Sequence, residues 1–148
     1  MGLRDKTQRS FPHLRDLPMG ICLTRVDFTV LFWNRKLEYW TARKSGDAIG
    51  KKLTDIYPHF KAPRYMNNLS RVANGKASAL FSGREFPNSI DSYFPNGARR
   101  EFDTTVNLVA PDEHGENGET YLMFCFQETT NFVSASQQGG QSQNNGAQ

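Results

Sequence analysis

The chain has 148 residues, 18 basic and 15 acidic, for a formal net charge of +3. A single domain of this size buries roughly two thirds of its unfolded surface, so no disulfide framework is needed, and two cysteines far apart in sequence, Cys22 and Cys125, give no paired zinc ligands. The longest apolar run, Tyr121 to Phe126, falls far short of the ~20 residues that cross a bilayer, and Met1 to Ser10 lacks the apolar segment of a secretory signal; membrane insertion is excluded and a reducing, cytoplasmic setting is expected.

Ser10 to Pro18 carries apolar residues three apart, Phe11, Leu14 and Leu17, and Ser10 suits an N-cap, so the pattern predicts a short entry helix ended by Pro18. Gly20 to Arg25 and Thr29 to Trp33 are β-branched and aromatic, and the tight connection Val26-Asp27-Phe28 makes them a hairpin. The two-residue period of a strand sends Ile21 and Leu23 to one side and Cys22 and Thr24 to the other. Asn34 then caps a helix running through Leu37, Trp40 and Thr41. Ser45 to Gly50 reads as a capped single turn and Thr54 to Pro58 as another.

A longer helix is expected from Pro63 to Ala73. Tyr65, Met66, Leu69, Val72 and Ala73 keep helical spacing, Pro63 suits the first turn, and Asn74-Gly75 stops it. The period then changes to two. Ala77 to Phe81 is a short strand candidate, Ser82 to Ser89 is irregular, and Ile90 to Phe94 leads into the Asn96-Gly97 turn. From Glu101 to Val109, Phe102, Thr104, Val106 and Leu108 alternate with polar residues, the signature of a strand with one face inward. After the acidic loop Pro111 to Glu119, Tyr121 to Gln127 is apolar on both faces, so its second face needs a terminal helix or another subunit.

Two strands, a group of short helices and three strands describe an α+β domain: an antiparallel sheet with helices on one face. Its bounds are 19–132, preceded by the segment 1–18, a candidate dimer contact, and followed by a charge-free tail, 133–148, that offers nothing to offset the entropy of ordering and reads as a linker. Charge is uneven: Asn34 to Lys76 holds ten basic against three acidic residues, and Ala77 onward three against nine. Without a run of five cations this is a solvated helical face, and nucleic acid is not an expected partner.

Leu17-Pro18-Met19-Gly20-Ile21, Phe32-Trp33-Asn34-Arg35, Ile49-Gly50-Lys51 before the Thr54 turn, and Asn96-Gly97 occur in an order and spacing that resemble a PAS domain over roughly Leu14 to Asn131. The resemblance implies a five-stranded antiparallel sheet with a curved helical cover. It implies a module that senses a small ligand, light or redox state, or pairs subunits, within a larger bacterial protein such as a histidine kinase, a cyclic-dinucleotide enzyme or a transcription regulator. It does not imply an enzyme. Two departures stand out: the first hairpin turn has no glycine, and the family's closing Asp-Ile-Thr, which couples the domain to the following helix, appears as Glu128-Thr129-Thr130.

No cofactor is assigned. The helix 63–73 has no histidine for haem, and His59 just before it reads as a titrating surface residue, Met66 as core. The light-sensing branch needs a cysteine early in the helical region, and none lies between Val26 and Tyr121. The resemblance places the first and last strands side by side, and alternation puts Cys22 and Cys125 both on the outer face, as structural thiols at a subunit contact ahead of a redox pair. No nucleophile triad or phosphate loop is visible, and Glu101 and Asp103 make a poor acid/base pair. What remains is an apolar pocket in which Leu37, Trp40, Tyr57, Tyr65, Met66 and Leu69 face Phe102, Val106, Leu122 and Phe124, enclosing a small ligand or packing shut.

The expected protein is therefore a ligand-binding or dimerising module, pairing through the outer sheet face and the Phe11, Leu14 and Leu17 stripe and leading to an effector domain. The alternative is a small α+β enzyme or ligand carrier with a cone-shaped sheet, which would show a strongly shifted buried group at Asp103 or His59.

Overall fold

The computed structural model describes residues 12–87, 89–109 and 120–130. Strands β1 (Gly20–Thr24) and β2 (Val30–Trp33) form the expected hairpin. Its glycine-free turn closes by placing Phe28 at φ 74°, in the left-handed region. Such a conformation costs a non-glycine residue roughly 1–3 kcal/mol. It is held because the Asp27 carboxylate accepts from Thr29 N (3.0 Å), Phe28 N donates to Arg25 O (2.9 Å), and Leu53 N donates to Phe28 O (2.9 Å).

β3 (Ala79–Phe81), β4 (Phe102–Val109) and β5 (Tyr121–Glu128) complete a five-stranded antiparallel sheet in the order β2-β1-β5-β4-β3. The last strand therefore lies at the centre, paired with β1 from Gly20 opposite Phe126 to Thr24 opposite Leu122. On β5, Leu122, Phe124 and Phe126 are buried on the inner face, while Tyr121, Met123 and Cys125 are half-buried on the outer. The Asn96-Gly97 turn lies outside the sheet: Gly97 takes φ 92°, Asn96 Oδ1 accepts from Ala98 N, and Tyr93 bridges Arg99.

Helices α1 (Arg35–Thr41), α2 (Ser45–Ala48), α3 (Leu53–Ile56) and α4 (Pro63–Ala73), with a 3₁₀ turn at Pro58–Lys61, cover the inner face. α4 has the expected bounds and buries Tyr65, Leu69 and Val72. The single turn expected at Ser45 to Gly50 forms with Ser45 as its first residue, and its N-cap residue, Lys44, gives no side-chain bond; the Glu38 carboxylate instead accepts from Ser45 N at 2.7 Å. An acid one element away thus does the cap's work. α1 ends at Ala42, held at φ 58°. Ala42→Gly removes the Cβ penalty at this exposed position and is expected to raise unfolding free energy by about 0.5–1 kcal/mol, read from the denaturant midpoint.

The entry segment forms a 3₁₀ turn at Pro12–Leu14 instead of a longer helix; Ser10 and Phe11 lie outside the described residues, as do the tail 133–148 and the acidic loop. Leu14, Leu17 and Met19 pack on the outer face with Ile21, Leu23, Phe32, Met123 and Cys125. The chain's own entry segment thus supplies part of the cover that β5 requires. The expectation that both cysteines share the outer face is corrected. In the β1–β5 register Ile21 stands opposite Cys125 and Cys22 opposite Phe124, so Cys22 belongs to the inner core and Cys125 to the outer face. The two thiols cannot pair across a sheet.

Candidate functional site

Asn34 is the residue that sets α1 on the sheet. Fully buried between β2 and α1, its Oδ1 accepts from Leu37 N (3.2 Å) and from Ile21 N (3.0 Å), and its Nδ2 donates to Leu14 O (3.0 Å) and Met19 O (2.9 Å). One side chain thus caps a helix, ties it to β1 and fixes the entry segment. Gly20 lets the helix approach: a Cβ there would stand 2.7 Å from Leu37 Cδ2 and 3.1 Å from the Trp40 ring.

The structure brings the ten expected lining residues together. Leu37 and Trp40 from α1, Tyr57 after α3, Tyr65 and Leu69 from α4, Phe102 and Val106 from β4, and Leu122 and Phe124 from β5 belong to one buried cluster, with Met66 partly buried at its margin. Their rings are in contact. Trp40 meets Phe102 edge-on at 4.8 Å, and Phe60 links Tyr65 (5.1 Å) to Phe124 (6.2 Å). Sequence reasoning left out Phe60, Phe81 and Phe126, which are fully buried in the same layer, and Phe86, which packs on Tyr65 (4.9 Å) and Phe81 (5.0 Å). A separate open cleft of about 620 Å³ lies at the C-terminal end of α4, lined by Arg25, Val26, Asp27, Ala73, Asn74, Gly75, Leu108 and Thr120.

Polar groups edge the layer. Burial pushes the Tyr57 phenol up to about 12. Burial also raises Tyr65, partly offset by its hydrogen bond with the Ser89 side chain. His59, in tilted ring contact with Tyr57, Phe60 and Tyr65, has Nε2 3.0 Å from Ser89 O and donates to it. Burial holds the imidazole below its ordinary range, against the opposing pull of the Ser89 carbonyl and Asp91. The neutral ring is thus the native form, and its contribution is present above the unfolded pKa of ~6.5 and lost as pH falls through the depressed folded value. Stability should therefore drop between pH 7 and pH 5 in the wild type, and the drop should be smaller in His59→Gln; equal midpoints across that range in both proteins would contradict this.

Burial raises both thiols, most strongly Cys22, while Thr105 partly offsets the rise at Cys125. Asp103 Oδ1 accepts from Gly83 N (2.8 Å), and the exposed Glu101 uses its backbone, with Glu101 N donating to Thr130 Oγ1 and Glu101 O accepting from Thr129 N. These carboxylate residues organise loops. Arg100, at the end of the inner face, is 7% exposed: Nη1 donates to Ser92 Oγ (3.0 Å) and Tyr93 O (3.1 Å), the guanidinium lies 4.4 Å over Phe94, and Nε stands 3.5 Å from Glu128 Oε2. The glutamate at the family's closing position is therefore ion-paired where the chain leaves the sheet. No described helix is long and apolar enough to cross a membrane.

The PAS fold family model matches residues 14–133. No curated protein matches the chain in sequence. Among solved structures, a sensory box sensor histidine kinase from Vibrio cholerae is similar at TM-score 0.56 and 16% identity, covering 86% of this chain and 95% of that one. The PAS domain of an HTR-like protein from Haloarcula marismortui gives 0.52 and 9%, covering 84% and 97%. The Cronobacter turicensis RpfR quorum-sensing receptor PAS domain, solved in complex with BDSF, gives 0.52 and 14%, covering 78% and 97%.

Proposed function

Because the chain belongs to the PAS fold family, we propose that it is the sensory module of a cytoplasmic signal-transduction protein, non-catalytic itself, that takes a small ligand between its helices and the inner face of its sheet. The observation that carries this reading is the convergence of α1, α4, β4 and β5 on one apolar layer edged by the Tyr57 and Tyr65 hydroxyls and His59. A layer of this composition suits a ligand held by apolar contact and oriented by few polar groups. The similar RpfR domain, solved with BDSF, supports a ligand within this fold.

In this reading residues 19–132 form the sensor, and 133–148 lead to an effector such as a histidine kinase, a cyclic-dinucleotide enzyme or a transcription regulator. A second copy docks on the outer face, where Met123 and Cys125 are half-buried and Leu80 is exposed. Backbone amide shifts recorded while small-molecule extract is added test the ligand: changes concentrated at Leu37, Trp40, Tyr65, Phe102 and Phe124 support it, and changes confined to the outer face or the α4 cleft refute it. Sedimentation tests the pairing. A dimer that Met123→Asp dissociates without unfolding supports it, and a monomer at high micromolar concentration refutes it.

A further inference from the structure

Resting on that reading of the inner layer, we propose that Thr104 is its polar anchor and that the ligand is an uncharged, mainly apolar molecule bearing one hydrogen-bonding group: an alcohol, phenol, ketone or amide. Thr104 is 0% exposed, and its hydroxyl has no hydrogen-bond partner. It projects from the inner face of β4 between Phe102 and Val106, and its cross-strand neighbours are Phe81 on β3 and Phe126 on β5.

A hydroxyl in such surroundings loses its hydration with nothing in exchange, whereas valine has the same shape and no such cost. The other buried polar side chains of this region show the contrast: Asn34 is bonded through both side-chain atoms, Ser89 donates to Phe86 O, and Ser92 accepts from Arg100. Among the described residues the other two unbonded buried side-chain atoms, Arg100 Nε and Glu128 Oε2, face each other as an ion pair. Among the described residues, Thr104 is the one buried neutral side chain whose polar atom has no hydrogen-bond partner.

The anchor also sets the charge of its ligand. The side chains packed around Thr104 are apolar, and the buried cation on the same row, Arg100, is already engaged by Glu128, Ser92 and Tyr93, so a carboxylate held there by one hydroxyl would be desolvated without a free counter-charge. A neutral group meets no such penalty. The ring that yields to admit it is Phe86, partly buried on the irregular segment after β3, packed on Phe81 and Tyr65 and covered by the exposed Arg64 guanidinium at 4.4 Å.

Calorimetric titration of wild type, Thr104→Val and Thr104→Ser with 1-decanol, indole and decanoate tests this, alongside thermal unfolding without ligand. The expected results are a higher unfolding temperature for Thr104→Val, its affinity for a neutral probe weakened about tenfold, equivalent to about 1.4 kcal/mol, near-normal affinity in Thr104→Ser, and decanoate binding wild type more weakly than 1-decanol. Equal affinity in Thr104→Val, or tighter binding of decanoate, overturns the anchor while leaving the inner layer a ligand site. Failure of both neutral probes to bind wild type also overturns it, and the wider reading then stands or falls on the amide-shift experiment.

Discussion

Asn34→Ala is expected to lower the unfolding free energy by about 3–5 kcal/mol, seen as a lower denaturant midpoint at unchanged slope. The substitution removes a helix cap and leaves Ile21 N, Leu14 O and Met19 O without the partners they have inside the fold. Each orphaned buried group costs about 1–3 kcal/mol, so the loss exceeds the ~1 kcal/mol of a surface cap. Asn34→Asp discriminates further. It keeps the acceptor for Ile21 N and Leu37 N but sets a buried carboxylate against two carbonyl oxygens, so it should be no more stable than the alanine variant at pH 7. A loss below about 1 kcal/mol in Asn34→Ala would show that the entry segment and α1 are held by packing alone.

Arg100→Met is expected to cost about 3–5 kcal/mol, because it leaves the Glu128 carboxylate, three-quarters buried, without its counter-charge. It also removes the donors to Ser92 and Tyr93 that hold residues 92–94 against the end of the core. The double variant Arg100→Met with Glu128→Gln should recover part of that loss, and the departure from additivity measures the coupling between Arg100 and Glu128. Strict additivity of the two substitutions would mean that the 3.5 Å pair carries no energy. On the proposed sensory reading the coupling has a functional bearing, since the same arginine touches the segment beside the core and Glu128 at the end of β5.

Local patterns were legible where a chain's own residues decide the outcome. Pro63, the apolar spacing through Val72 and the Asn74-Gly75 stop define α4 without outside help, and the alternation from Phe102 to Val106 defines the inward row of β4. Asn34 was readable as a cap, but its donation to Leu14 and Met19 depends on an entry segment whose path only the folded chain fixes. The facing of Cys22 against Cys125 failed for a related reason. Alternation assigns sides within one strand, while the side shared between two strands follows from register, here Ile21 opposite Cys125.

The candidate site shows the same division. Hydrophobic periodicity picked ten residues that share one apolar layer because inward positions are visible strand by strand and helix by helix. It passed over Phe60, which sits in a 3₁₀ turn with no period to read, and Arg100, whose burial depends on Glu128 and the rings of Phe94 and Tyr39. Thr104 had a signal in plain sight: a hydroxyl in a row otherwise made of Phe102, Val106 and Leu108. Only the three-dimensional surroundings reveal that the hydroxyl has no partner.

The most direct test is native mass spectrometry of freshly purified protein. The account predicts a retained small mass on the folded species, lost on denaturation. A bare polypeptide mass under gentle conditions, with no species gained on adding 1-decanol, would contradict it and leave a module with a filled core whose business is the docking of another protein chain.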